Sequence, residues 1–459
     1  MARLAISTWL LGAIVACSTV PEVDLAAEAA KAPDAKPILV GVRGPLTKQQ
    51  SKQILDRLKR QSKDTDVLGL HLAFEEAIAD TPLTVGNKVT LLRDGATSFD
   101  AIARVIDDAR DSLNLEYYTF EEVEIGGTSI IDRLIQKQQA GVQVSLIYDS
   151  AGSTSTPAAV FDRLRQAGVN LIEFNPINPL KTNGDYSPND RDHRKILIAD
   201  GKVAIIGGVN ISRVYGSRLP GTKEREKKPG DYWRDTDVQI EGPAVVDLQQ
   251  LFLQHWREQE GKLLPLRDYF PKLHPSGDQI VRIVGSTPDH QPPSYYITLL
   301  SAIRNAESRI WLTEAYFVPT RQELADLEDA ARRGVDVRIL LPSRSDTRDA
   351  LNVGRSYYED LLEAGVKIFE YQDGYLHSKS AVIDGVWSVV GSSNFDPRSV
   401  IYNDEVDAVI LGRATGGQME AMFQEDLTRS KPIELAVWRQ RPLSQKIREM
   451  LSRIWSNLL

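Results

Sequence analysis

The chain has a single cysteine, Cys17, among its 459 residues, so it cannot form an intrachain disulfide. It also lacks an excess of positive charge, because 55 Lys and Arg residues stand against 63 Asp and Glu residues, a net charge of −8. This balance argues against a nucleic-acid partner, which would favour a basic surface. The apolar stretch Leu4 to Val15 is too short for a convincing membrane span. What remains is a chain of ordinary apolar content that is long enough for two domains.

The cysteine stands at the end of a short export signal. Arg3 provides a basic start, the apolar stretch follows, and Ala16 is a small residue directly before Cys17. Residues 1–16 are therefore predicted to be a secretory signal peptide.

Residues 14–17 resemble a bacterial lipobox, which implies that Cys17 carries lipid and becomes the mature N-terminus. Two alternatives remain open, namely a buried cysteine in a helix and plain secretion with cleavage elsewhere. Residues 17–38 are rich in Ala, Pro and acidic residues and are predicted to be a flexible tether. By analogy with such lipoproteins, Ser18 favours an exported protein at the periplasmic face of the outer membrane of a double-membrane bacterium.

Two of only six histidines occupy the same position in a motif that occurs twice. In each copy a lysine follows the histidine after one residue and an aspartate follows after four more, before an apolar run and a small-residue segment that ends in asparagine. A chance match at these spacings is expected at about one start position in a million with ordinary residue usage. The first copy contains His193, Lys195, Asp200, Gly207, Gly208 and Asn210, and the second contains His377, Lys379, Asp384, Gly391, Ser392 and Asn394.

The spacing within the motif predicts a β-hairpin. The histidine and the lysine lie two residues apart and so share one face of a strand. The Asp-Gly pairs at 200–201 and 384–385 are strong turn signals between apolar runs. A two-residue turn would place His193 opposite Gly208 and gather the polar side chains at one hairpin end. Two ordinary solvated hairpins are the alternative, but they would not explain the same polar set in both copies.

Each half of the chain also repeats the order of a helix, a Gly-Val step and a buried strand. The Gly-Val steps begin at Gly141 and Gly168 in the first half and at Gly334 and Gly365 in the second. This alternation predicts an α/β protein with two similar lobes, each a mixed, mostly parallel sheet flanked by helices. A pseudo-twofold axis would relate the lobes, with the active site between them.

The Pro- and Gly-containing stretch 260–278 marks the predicted boundary. The first lobe is assigned to residues 39–262 and the second to residues 263–459. Residues 46–80 have helical spacing and are expected to pack as helices on the first lobe. The apolar residues of 442–459 form a helical stripe that either packs on the second lobe or lies in a membrane interface. The basic loop 214–231 is either a solvated loop or a contact for anionic lipid headgroups.

The paired motif resembles that of the phospholipase D superfamily, and its flanks are similar to those of bacterial cardiolipin synthases. The similar flanking segments are 233–245, 315–337 and 391–405, within a resemblance that covers roughly residues 85–425. One departure is Gly208, where many members have serine, so one hydroxyl is missing from the expected site.

The resemblance implies a phosphohistidine mechanism. His193 is the expected nucleophile and His377 the general acid and base, although the reverse assignment stays open. Non-bridging phosphate oxygens would be held by Lys195, Lys379, Asn210 and Asn394. In the family acidic residues orient the histidine rings, and Asp235 and Glu405 are the best candidates here. Asp200 and Asp384 belong to the motif, but their turn positions make them look structural.

No metal and no cofactor are expected, since the His, Lys and Asn sets lack the usual carboxylate or thiolate ligands. The leading function is a phosphatidyl transferase that makes cardiolipin-type lipid from phospholipids. The alternative is a phospholipase D that releases phosphatidic acid, and a secreted nuclease or a lipid-binding protein without activity is less favoured. The expected partners are phospholipids and a membrane surface reached through the anchor, without nucleic acid, and the expected state is a monomer with an internal pseudo-dimer.

Overall fold

The computed structural model describes residues 20, 22–30, 37–61, 71–72, 81–181, 187–218, 232–288 and 293–453. The predicted signal peptide, Cys17 and most of the basic loop therefore lie outside the described residues. Within them, no helix is long and apolar enough to cross a bilayer.

The helices of the described part are Leu25–Ala30, Lys48–Gln61, Gly95–Asp108, Ile130–Gln139, Ala158–Gln166, Ala244–Glu258, Ser294–Arg304, Arg321–Arg332, Arg348–Ser356, Tyr358–Ala364, Pro397–Ile401, Arg413–Leu427, Leu435–Arg439 and Leu443–Ser452. Short 3-10 helices lie at Pro179–Lys181 and Arg213–Arg218.

The strands are Val40–Gly41, Gly44–Pro45, Thr84–Leu92, Ser112–Tyr117, Glu124–Ile125, Thr128–Ser129, Gln143–Asp149, Asn170–Phe174, Arg191–Asp192, Lys195–Ala199, Val203–Gly207, Trp233–Arg234, Asp237–Glu241, Gln279–Ser286, Arg309–Glu314, Asp336–Pro342, Lys367–Tyr371, Tyr375–Leu376, Lys379–Ile383, Trp387–Gly391, Asn403–Leu411 and Ser430–Pro432.

Local sequence explains where the flanking helices begin and which face they bury. Asp94 caps the helix Gly95–Asp108. Its side chain accepts a hydrogen bond from the Thr97 N–H, and the Thr97 hydroxyl accepts one from the Asp94 N–H. Phe99, Ile102 and Ile106 follow at helical spacing and are fully buried against the first sheet. Thr320 and Glu323 form the same reciprocal cap on a helix of the second lobe.

Seven strands of each lobe form a sheet with the same strand order, and Ser430–Pro432 adds an eighth strand beside 367–371 in the second lobe. In the first lobe the order across the sheet is 170–174, 143–149, 112–117, 195–199, 203–207, 237–241 and 84–92. In the second it is 367–371, 336–342, 309–314, 379–383, 387–391, 403–411 and 279–286. The two sheets join where Thr84–Leu92 pairs with Gln279–Ser286. This repetition confirms the predicted α/β class with two similar lobes.

Parallel pairing is less extensive than predicted. It links only the first three strands of each order, and the other four strands pair antiparallel. The reason is that helical crossovers connect the first three strands, whereas hairpins and the returning strand supply the rest.

Both Asp-Gly turns form, but the predicted register is wrong by one residue. Asp200 and Gly201 take φ values of 53° and 62°, and the N–H of Lys202 donates to the Ala199 carbonyl at 2.9 Å. The ladder resumes only with Ala199 opposite Val203, so Lys202 adds an extra residue to one strand. The second hairpin has the same shift, with Ile383 opposite Trp387.

The motif aspartates fasten these turns to the sheet. The Asp200 carboxylate accepts the backbone N–H groups of residues 110–112 at 2.7–3.1 Å. The Asp384 carboxylate accepts those of residues 307–309 at 2.8–3.0 Å. Each aspartate lies a five-residue strand away from its motif lysine, about 16 Å at the usual rise. Asp200 and Asp384 therefore lie apart from the other predicted site residues and hold the turns.

Two predictions for the N-terminal region are wrong. The helix Lys48–Gln61 packs on the second lobe rather than the first, because Leu58 lies in a core cluster with Ile280 and Ile310. The strand Val40–Gly41 directs it there by pairing at Thr84, beside the junction of the two sheets. Within the predicted tether, Val23 is buried against the second lobe, and its backbone N–H and carbonyl both bond the Gln322 side chain at 2.9 and 2.7 Å.

A shared core holds the lobes together. One cluster of buried apolar side chains takes residues from both sheets, among them Ile196 and Ile206 from the first and Val382 and Val390 from the second. Because the motif hairpins contribute to this cluster, their polar ends are brought to the same place. The domain boundary at 262–263 stays a prediction.

Candidate active site

Two short parallel ladders join the two lobes at the polar ends of the hairpins. Arg191–Asp192 pairs with Asn403–Asp404, and Trp233–Arg234 pairs with Tyr375–Leu376. The next residue along the first ladder is His193 on one side and Glu405 on the other. Along the second ladder the next residues are Asp235 and His377. Each ladder therefore ends in one histidine and one carboxylate from opposite lobes.

The carboxylates bind the histidines across the lobes. His193 Nδ1 lies 3.0 Å from both Glu405 oxygens, and His377 Nδ1 lies 2.7 Å from Asp235 Oδ2. Both carboxylates are fully buried. Sequence reasoning selected these two acids but did not predict that each orients the histidine of the other lobe.

Both histidines line one cavity of about 340 Å³. Its walls include both motif asparagines and several residues from each lobe, namely Asn210, Asn394, Tyr118, Thr119, Trp233, Tyr316, Asp346, Asp396 and Arg398. Thus His193, His377, Asn210 and Asn394 come together as predicted.

The two lysines lie behind the histidines and are buried. Lys195 Nζ donates to the backbone carbonyl of His193, and Lys379 Nζ does the same at His377 and also lies 2.9 Å from its Nδ1. Burial, reinforced by Lys379, lowers the pKa of Lys195 to about 7, although Glu405 acts to raise it. Burial likewise lowers the pKa of Lys379. An anion bound in the cavity would raise the pKa of both lysines, because it favours their charged ammonium forms.

Burial also keeps the imidazoles neutral while the carboxylates remain ionised. It lowers the pKa of His193 to about 4 against the opposing effect of Glu405, and burial together with Lys379 lowers the pKa of His377. For Glu405, burial acts to raise the pKa, but His193 and Lys195 outweigh it and hold the pKa below its usual range. Lys379 and His377 have the same effect on the pKa of Asp235.

The hydroxyl groups around the two carboxylates differ. Glu405 accepts hydrogen bonds from Ser392 Oγ at 2.6 Å and from Ser399 Oγ at 2.8 Å. Asp235 accepts one from the Tyr215 hydroxyl at 3.1 Å, which also lies 2.9 Å from His377 Nδ1. Positions in the two motif copies differ by a constant 184 residues, as His193 and His377 do, and this offset pairs Tyr215 with Ser399 and Gly208 with Ser392. Tyr215 is therefore the counterpart of Ser399.

The glycine at 208 has a steric reason. A Cβ placed there would lie 2.1 Å from Asp235 Oδ1 and 2.7 Å from its Cγ. The shorter Asp235 carboxylate thus lies against the backbone where Ser392 stands in the other half. The hydroxyl whose absence the sequence predicted is absent, and Tyr215 is the hydroxyl that bonds Asp235.

Sequence reasoning missed Tyr215 and the aromatic walls. The Tyr118 ring lies edge-on to His193 with centroids 5.1 Å apart, and the Tyr316 ring lies edge-on to His377 at 5.8 Å. Each ring also faces the lysine of its own lobe, at 5.3 Å for Lys195 and 5.8 Å for Lys379. Tyr118 and Tyr316 could have been found from the sequence because they follow equivalent strands, 112–117 and 309–314. The 184-residue offset between the motif copies would have identified Tyr215.

Among the described residues, one group of acidic and histidine side chains is close enough to hold a metal ion. It consists of Glu116, Asp192 and His255, all buried behind the site. The Arg194 guanidinium bonds Glu116 at 3.2 Å, so the positive charge of this arginine already offsets the negative charge of the group. His255 bonds the same Glu116 oxygen at 2.9 Å.

The comparisons with known proteins agree with this geometry. A sequence model of the family described as "Cardiolipin synthase, PLD-like domain" matches residues 102–216 and 299–427. The chain is 36% identical over 391 residues to cardiolipin synthase of Geobacillus sp. (strain WCH70), which covers 84% of this chain and 76% of that protein. It is 32% identical over 406 residues to cardiolipin synthase 2 of Bacillus anthracis, covering 88% and 76%.

Among solved structures, the phosphatidylserine synthase of Haemophilus influenzae Rd KW20 has the same fold, with a TM-score of 0.60 and 15% sequence identity over 88% of this chain and 98% of that one. The family match spans both motif copies, and the relatives align over more than four-fifths of the chain. The chain therefore belongs to the cardiolipin synthase family of phospholipase D-like proteins.

Proposed function

We propose that this protein is a phosphatidyl transferase that makes cardiolipin-type lipid through a phosphohistidine intermediate. The observation that carries the proposal is the pair of histidines in one cavity, each oriented by the carboxylate of the other lobe. The family supports the substrate class, since the relatives in it are cardiolipin synthases.

The geometry divides the chemistry between the two rings. Glu405 fixes Nδ1 of His193, which leaves Nε2 for attack on phosphorus. His377 protonates the leaving glycerol oxygen as the phosphorus–oxygen bond breaks, and later removes the proton of the incoming hydroxyl. Lys195, Lys379 and the asparagine amides offset the negative charge of the phosphoryl oxygens.

Transfer and hydrolysis share the phosphohistidine and differ in what arrives second. Water is present at about 55 M, so transfer requires that the acceptor lipid is concentrated and oriented near the site. A protein at a membrane surface satisfies this condition because its acceptor lipids share that surface. Phospholipase D activity is the second candidate, and the product distinguishes the two.

Purified protein is expected to convert vesicles of phosphatidylglycerol into cardiolipin and glycerol, with phosphatidic acid as a minor product. Labelled lipid and thin-layer separation measure the ratio. Dilute detergent micelles should shift the ratio toward phosphatidic acid, since acceptor lipid becomes scarce. If phosphatidic acid dominates equally in vesicles and in micelles, the protein is a hydrolase.

His193→Ala and His377→Ala should each lose more than 99% of turnover, because one positioned acid or base contributes about 10²–10⁴-fold.

The nucleophile can be assigned with an activated substrate. A phosphatidyl ester of p-nitrophenol has a leaving group that needs no protonation, so His377→Ala should still form the intermediate but deprotonate the acceptor slowly. We expect lipid phosphate to accumulate on His193, detected by mass spectrometry of peptides under alkaline conditions. An adduct on His377 in the His193→Ala protein, and none on His193, would reverse the assignment.

The Tyr215 hydroxyl positions the acid–base pair of Asp235 and His377. Its hydrogen bond stabilises the negative charge of Asp235. Without this bond, in Tyr215→Phe, the carboxylate attracts the His377 proton more strongly, and the pKa of His377 rises. Since the first step needs protonated His377, the alkaline limb of the kcat/KM profile should move to higher pH. We expect kcat to fall about tenfold, the effect of one hydrogen bond to a charged group.

Ser399→Ala is the matched control for this prediction. It removes the equivalent donor from Glu405 and should raise the pKa of His193, which must be neutral to attack. The acid limb should then move to higher pH while the alkaline limb stays. If both variants lose stability without moving either limb, Tyr215 has only a structural role.

We also propose that the protein is an exported lipoprotein at the periplasmic face of an outer membrane, which the sequence of residues 1–18 supports. Expression in a bacterial host with labelled palmitate should label the wild type. Cys17→Ala should be unlabelled and recovered in the soluble fraction. Label on Cys17→Ala, or none on the wild type, would eliminate the anchor.

A further inference from the structure

The helix Leu443–Ser452 is amphipathic, but it turns its apolar face outward. Leu443, Ile447, Met450 and Leu451 follow helical spacing and are 72%, 45%, 61% and 52% exposed. A helix of a soluble protein normally buries such a stripe. An apolar face in this orientation indicates an interaction surface.

The polar side of this helix faces the protein instead. Glu449 and Ser452 are its buried residues, and Glu449 bonds both Arg441 and Gln445 at 2.9 Å. The Gln445 bond lies within the helix, but Arg441 also bonds Glu359 of the helix Tyr358–Ala364 at 3.3 Å, so these bonds hold Glu449 inward and leave the apolar stripe exposed.

Exposed arginines lie beside this apolar face. Arg448 on the helix lines a cavity of about 660 Å³ together with Arg344 and Arg348 from the second lobe. In the part of the chain that the structure describes, these three guanidinium groups form no ion pair with a carboxylate, although Asp349 also lines the cavity. Arg355 lines it too, but it pairs with Glu370 at 2.9 Å. The cavity wall therefore carries unpaired positive charge in a chain whose net charge is −8.

This surface adjoins the catalytic cavity. The segment 343–350 separates the two cavities, since Arg344 and Arg348 face one while Asp346 and Thr347 line the other. The second link is aromatic, because Tyr375 of the arginine cavity stacks on Trp233 of the catalytic cavity with ring centroids 5.7 Å apart.

We propose that the apolar face of Leu443–Ser452 and the arginines 344, 348 and 448 form a docking surface for an anionic phospholipid membrane. The apolar side chains enter the acyl boundary while the guanidinium groups bind headgroup phosphates. Docking in this orientation brings the catalytic cavity to the lipid surface, beside both donor and acceptor. The inference rests on the proposed function for its choice of lipid as the occupant.

The test uses the full chain with Cys17→Ser, so that one introduced cysteine can carry an environment-sensitive fluorophore. Labels go at Ile447→Cys or Met450→Cys on the helix and at Leu266→Cys, a fully exposed leucine of the interlobe segment, as the control. Vesicles of phosphatidylglycerol and phosphatidylcholine should shift the emission of both helix labels to the blue. Lipids brominated on the acyl chain should quench them, and the control label should not respond.

Substitution of Arg344, Arg348 and Arg448 by Gln should weaken vesicle binding about a hundredfold, since each basic side chain near an anionic surface contributes about a fivefold factor. Raised salt should weaken the wild type in the same way. Arg257→Gln, at an exposed arginine of another helix, is the charge control and should bind normally. Helix labels that ignore vesicles would overturn the proposal, as would labels that respond to protein concentration alone, which would indicate a second copy of the chain.

Failure of this proposal differs from failure of the proposed function. Protein that makes cardiolipin with unresponsive helix labels has the function but docks elsewhere. Protein whose labels enter vesicles without phosphatidyl transfer has the surface but another activity.

Discussion

The site depends on two buried histidine–carboxylate pairs that cross between the lobes. A ladder of two residues aligns each pair, so the position of an imidazole in one lobe is fixed by backbone hydrogen bonds from the other: His193 N–H donates to Asp404 at 2.9 Å and His377 N–H to Arg234 at 2.8 Å. Removing one partner would leave a buried polar group without its hydrogen bond, which typically costs about 1–3 kcal/mol. Each histidine is therefore oriented by a carboxylate of the other lobe, so the site as it stands needs both lobes.

The crossing also permits the two halves to differ. One half combines Glu405 with Ser392 and Ser399, and the other combines the shorter Asp235 with Gly208 and Tyr215. The longer hydroxyl-bearing side chain, Tyr215, accompanies the shorter carboxylate. The two imidazoles consequently experience different hydrogen-bond donors, which is what a division of labour between a nucleophile and an acid–base requires. A strictly symmetric site would give both rings the same proton affinity.

Local sequence signals predicted the parts of the fold that depend on neighbouring residues. The Asp-Gly turns formed at Asp200 and Asp384, and each Gly-Val step precedes a strand, because turn chemistry and apolar periodicity act within a few residues. The register shift at Lys202 depended on one extra residue that periodicity does not specify. Placing the helix Lys48–Gln61 on the second lobe required knowing that Thr84–Leu92 joins the two sheets, a contact nearly 200 residues apart in sequence. The histidine partner of each carboxylate could not be predicted either, because it also lies far away in the sequence.

The charges within the site explain how it obtains the proton that its mechanism needs. Lys195 and Lys379 lie beside the carboxylates of Asp235 and Glu405, and burial keeps both imidazoles neutral while these carboxylates stay ionised. A bound phosphodiester adds one negative charge to this set. That charge raises the pKa of both histidines and of both lysines, so substrate binding favours proton uptake by the site. In the proposed mechanism His193, which bonds Glu405, attacks as a neutral ring, whereas His377 has Lys379 and the Tyr215 hydroxyl beside Nδ1. The substrate itself thus brings in the proton that leaves with the departing alcohol.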